Sequence, residues 1–170
     1  MSDSSGNSAR ELAPHSATAG GARSGGAAGP DQEIASYWRK ALRAHRDSRV
    51  PGLSPHGAFN AAYEAALDAA TALVREAGYR VSSHTRHHWA AFYAVQGLGD
   101  PELDRIGGDL NGTRTNRHHN VYGPEDDQET AVTRRDELHR LLGYFIPAAY
   151  RVLLARRPTL RDVLEAPPES

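Results

Sequence analysis

Between residues 59 and 77 the apolar side chains Phe59, Ala62, Tyr63, Ala66, Leu67, Ala70, Leu73, Val74 and Ala77 recur at three- and four-residue spacings, uninterrupted by glycine or proline. That period belongs to an α-helix with one continuous buried face. A stripe so rich in alanine lets other helices come close, so the rest of the chain must supply them. Glu64, Asp68 and Arg75 fall opposite the stripe and are expected at the surface. Ser54 can cap the start with Pro55 in the first turn, and Gly78 can end the helix.

The same periodicity marks the neighbours. Upstream, Ile34, Ala35, Trp38, Ala41, Leu42 and His45 predict a helix from Asp31, its expected N-cap, to about His45. A third helix, opened by Ser82 or Ser83, carries His84, His87, His88, Ala91, Val95 and Leu98 on one side, with Phe92 flanking them. Residues 97–101, Gly-Leu-Gly-Asp-Pro, then turn the chain. On the fourth helix Leu103, Ile106 and Leu110 form the stripe, and Arg114, Arg117, His118 and Val121 continue it. Gly107, Gly108 and Gly112 each weaken that helix by roughly 1 kcal/mol relative to alanine.

Gly123 and Pro124 stop the fourth helix, and acids at 125–127 and 129 suit the positive start of a fifth. Its face runs Ala131, Leu138, Leu141, Leu142, Phe145, Ile146, Ala149, Val152 and Leu153. Arg134 and Arg135 sit near its start, and Pro147 bends it without ending it. No strand alternation or repeat competes with this pattern. The expected fold is all-α, an antiparallel four- to five-helix bundle over residues 31–157, followed by a C-terminal tail at 158–170.

Residues 1–30 are mostly Ser, Gly, Ala and polar, too poor in large apolar groups to offset ordering, and read as a disordered arm. They hold neither the apolar core of a signal peptide nor an adjacent arginine pair, so the expected address is cytoplasmic. No run approaches the roughly 20 apolar residues of a membrane span. Without cysteine the chain has no disulfide, thiolate metal site or cysteine nucleophile.

The one strong local imbalance lies at residues 114–122. Arg114, Arg117, His118 and His119 crowd together without an acid, in a chain of net charge −1. Antiparallel counting brings them to one end of the bundle with His84, His87 and His88 on one side and Arg134 and Arg135, a turn or so deeper, on the other. Guanidinium forks bind phosphate oxygens in two-point geometry and imidazoles move protons near neutral pH, so RNA or a nucleotide is the natural ligand. The alternative is an ion-pair network in which Arg117 and His118 meet Asp126 and Asp127 across the turn.

A metal site is not expected. His84 and His88 have the spacing, but the intervening residues hold Arg86 and no glutamate. No cofactor is implied, and no nucleophile elbow supports a serine hydrolase. His15, His45, His56 and His139 read as surface or boundary residues.

The arrangement resembles the HEPN superfamily of small helical bundles found in prokaryotic toxins, antiviral nucleases and non-catalytic relatives. The matching pieces are residues 59–66 (Phe-Asn-Ala-Ala-Tyr-Glu-Ala-Ala), Gly78-Tyr79-Arg80, His87-His88, and Arg114, Arg117, His118 and Tyr122. The resemblance implies a metal-independent endoribonuclease or RNA-binding module, a homodimer joining two motifs, and an antitoxin partner if the protein is a toxin. Arg117 is then the motif arginine and His118 its polar neighbour.

Tyr122 stands where the family's histidine would fall. Arg114 and His119 have the literal spacing, but five residues apart they lie about 140° apart on a helix. Metal-free RNA cleavage needs a base for the ribose 2′-hydroxyl and a cation for the phosphorane-like transition state. Tyr122, with an ordinary pKa of about 10, is a poor base at neutral pH, which leaves His118 as its substitute.

Overall fold

The computed structural model describes residues 31–79, 87–122 and 127–168, with 87–89 and 115–122 described by backbone alone. The expectations for residues 1–30, for Ser82, Ser83 and His84, and for residues 123–126 lie outside the described residues. Among those described, every regular element is helical: α1 (Asp31–Asp47), α2 (Pro55–Glu76), α3 (His87–Gln96), α4 (Pro101–Tyr122) and α5 (Gln128–Arg156), then a 3₁₀ turn at Pro158–Asp162. None of these helices is long and apolar enough to cross a membrane.

Local chemistry sets the boundaries. The Ser54 hydroxyl accepts from the Gly57 N–H at 3.1 Å, and Pro55 opens α2. Gly78 follows that helix at φ +84°, a left-handed conformation that glycine adopts without strain. Asp100 caps α4 by accepting from the N–H groups of Glu102 and Leu103, each at 3.0 Å. Asp127 caps α5. Pro147 sits inside α5, which continues to Arg156.

α2 is the central rod, packed against α1, α3, α4 and α5. Its stripe is buried from Phe59 to Val74, and so are Ala65, Ala69 and Ala72 on other sides. Arg75, expected at the surface, is buried at 7% exposure because α1 covers that side, and its guanidinium pairs with Glu33. Trp38 of α1 stacks on Tyr150 of α5 at 5.7 Å between centroids, and Tyr63 of α2 meets Phe92 of α3 edge-on at 5.6 Å.

The glycines of α4 do not break it. A Cβ at Gly107 would come within 3.3 Å of the Phe92 carbonyl and the Val95 side chain, so the missing side chain lets α3 lie close. Burial of Leu103, Ile106 and Leu110 offsets what the glycines cost. The segment after Pro158, expected as a tail, packs on the bundle. Leu160 is fully buried, Leu164 nearly so, and the Trp38 Nε1–H donates to the Glu165 carbonyl at 2.7 Å.

Candidate phosphate-recognition end

Contacts of Gly107 and of Arg151 set which residues share a level. Gly107 lies against Phe92 and Val95. At an equal rise along both helices, this register puts the first turn of α3, with His87 and His88, about level with Thr113 and Arg114. Arg151 of α5 meets Glu102 at 2.9 Å and Asp100 at 3.3 Å. Carried back along α5, that register sets Arg135 about level with His118, and His139 about level with Arg114. Arg134 and Arg135 thus lie within about a turn of the level of Arg117 and His118.

Arg114 continues the stripe of Leu103, Ile106 and Leu110, yet its side chain is exposed and forms no ion pair among the described residues. The buried side of α4 therefore emerges into solvent at an arginine. Arg117, His118 and Tyr122 lie in the helical backbone of α4, and His87 and His88 in that of α3. Their side chains lie outside the described residues.

Of the two acids weighed as partners for Arg117 and His118, Asp126 lies outside the described residues. Asp127 is committed to the start of α5. Its Oδ1 accepts from the Thr130 N–H and its Oδ2 from the Thr130 hydroxyl, each at 2.9 Å. Those bonds, the backbone one first, hold its carboxyl below the usual range.

Arg134 and Arg135 fall on different sides of α5. Arg134 shares its side of α5 with Leu141 and Ala148, at spacings of seven, and Arg135 with Leu142 and Ala149. The Arg135 guanidinium holds Asp136 at 2.7 Å and lies near His139.

The periodic reading passed over one cluster at this end. His45 of α1 and His139 of α5, expected as surface or boundary residues, come near enough for each to feel the other's surroundings. His45 is 6% exposed, and burial first, then Arg49, His139 and Arg46, push its pKa from 6.5 down to about 4. His139 is shifted down by burial, then by Arg49 and Arg135. The signal was in the sequence: His45 falls on the buried stripe of its helix, and His139 follows Leu138 at the edge of another.

No group of three or more His, Asp or Glu among the described residues could hold a metal ion. The chain matches no protein-family model, no curated protein and no solved structure.

Proposed function

We propose that this chain is a HEPN-like module that recognises the phosphates of RNA or of a nucleotide through this end of its bundle, centred on Arg117. The observation that carries the reading is the unbroken course of α4 from Pro101 to Tyr122. On one continuous helix Arg114, Arg117 and His118 share a side by spacing, at the level of Arg135 and of the first turn of α3. Arginine suits the task because its planar fork matches two phosphate oxygens at once.

In a homodimer, two such motifs meeting across a cleft give the arrangement that metal-independent RNA cleavage needs. Arg117 stabilises charge on the pentacoordinate phosphorus, His118 takes the 2′-hydroxyl proton, and Tyr122 hydrogen-bonds the phosphate. Tyr122 at the motif-histidine position favours a second reading, recognition without turnover, since a phenol is a poor base near pH 7.

Incubating structured RNA in EDTA with wild type and Arg117→Ala separates these readings. Cleavage lost in the variant identifies a nuclease. Salt-sensitive binding without cleavage, lost in the variant, identifies a binding module. Binding and cleavage that both survive Arg117→Ala sink the assignment.

A further inference from the structure

The outer side of α1 carries charge of a single sign. Arg39, Arg43 and Arg46 recur there at four- and three-residue spacings, and all three are exposed. The opposite side of the helix, with Ile34, Trp38 and Leu42, is fully buried in the core. From Ile34 to Arg46 the helix holds no acid. By contrast, Arg105 of α4 meets Asp109 at 3.8 Å, and Arg151 of α5 holds Asp100 and Glu102.

Neither Arg39 nor Arg43 forms an ion pair among the described residues. Arg46 reaches Glu165 at 3.0 Å, but both side chains are more than half exposed, so the contact is weak and readily exchanged. Lys40, beside the row, lies over the Tyr37 ring at 5.2 Å, and its charge is felt by Asp68 of α2. Like charges three or four residues apart on a helix repel each other and cost stability. The helix dipole favours a cation in the last turn, which accounts for Arg46. Arg39 and Arg43 lie before that turn, and no described partner offsets their repulsion.

We propose that this row on α1 binds the phosphate backbone of single-stranded RNA. Its positions rise about 6 Å and then about 4.5 Å along the helix axis, a line of forks suited to a polymer charged at every repeat. A single small anion would engage only part of it. A membrane surface fits less well, because the apolar side of α1 is taken up by the core. The exposed Val50 and Leu53 lie beyond the row, in the turn before α2.

The proposal rests on the reading of the protein as a binder of RNA phosphates, but it uses a helix other than α4, so the two assignments fail separately. The test measures binding of the full chain to a single-stranded ribo-oligonucleotide of about 16 nucleotides across a range of salt. Arg39→Gln/Arg43→Gln, a surface change, is expected to weaken binding by about tenfold and to lower the slope of log affinity against log salt by about 1.4, the share of two phosphate contacts. Arg105→Gln/Arg151→Gln removes the same charge elsewhere and is expected to leave both near wild type.

Binding lost in Arg117→Ala but unchanged in Arg39→Gln/Arg43→Gln overturns the row and spares the α4 assignment. Binding weakened in Arg39→Gln/Arg43→Gln but unchanged in Arg117→Ala does the reverse. Equal weakening by the two double variants shows that net charge alone acts and overturns the proposal, and a wild type that binds no RNA overturns both assignments. Wild-type binding to vesicles of anionic phospholipid that Arg39→Gln/Arg43→Gln abolishes, while RNA binding persists, assigns the row to a membrane surface instead.

Discussion

The two ends of the bundle use arginine in opposite ways. At the end where α3 turns into α4, four arginines among the described residues have acidic partners. Arg75 holds Glu33, Arg151 holds Asp100 and Glu102, Arg156 reaches Glu76 at 3.8 Å and the Leu98 carbonyl, and Arg157 holds Asp31. At the other end Arg49 and Arg114 are exposed without ion pairs among the described residues, and two histidines are held neutral between α1 and α5. At that end Arg46 and Arg135 still hold Glu165 and Asp136, so the difference lies in Arg49 and Arg114.

Acid should break the contrast most strongly. His45 titrates near 4 when folded and near 6.5 when unfolded, so the unfolded chain takes up the proton first. Its contribution is complete above pH 6.5 and is lost as pH falls toward 4, by up to about 3 kcal/mol. Asp68, pushed up to about 6 by burial, works the other way and adds stability as pH falls from 6 toward 3.8. The two nearly offset, so urea unfolding across this range should show a loss toward acid in Asp68→Asn and a gain toward acid in His45→Leu. An acid response unchanged by His45→Leu would mean that another group drives it.

The next largest effect is at neutral pH. His45→Leu removes two buried nitrogens without partners and should stabilise the protein by about 1–3 kcal/mol, read as a higher urea midpoint. Destabilisation instead would show that the ring has a partner worth keeping. Smallest is the contrast in stability between the ends. Arg151→Ala, at a half-exposed pair, should cost about 0.2–1 kcal/mol, and Arg49→Ala within about 0.5 kcal/mol of nothing. Equal losses would erase the distinction.

Much of the fold was legible because helix signals are local. Ser54 before Pro55, Gly78 after the alanine stripe and the continuing pattern beyond Pro147 each set a boundary without help from the rest of the chain. Periodicity is weaker on helices with several neighbours. It marks the richest apolar face, so it left Arg75 outside although α1 buries it, and it passed over Leu160 and Leu164 in a segment too short and proline-bound to show a period. For the site, spacing on α4 assigns Arg114, Arg117 and His118 to one side, of which Arg114 alone has a described side chain, and the turn at 97–101 gave the register with α3. The burial of His45 was legible from its stripe, but its approach to His139 was not, since it joins residues from distant helices that only packing brings together.

The contrast between the ends is tested most directly by RNA binding in low and moderate salt, comparing two double variants. Arg114→Ala/Arg117→Ala should weaken binding by about tenfold or more and flatten its salt dependence, whereas Arg151→Ala/Arg156→Ala should leave both near wild type. Equal weakening by the two pairs, or no weakening by the first, would contradict phosphate recognition at the α4 end.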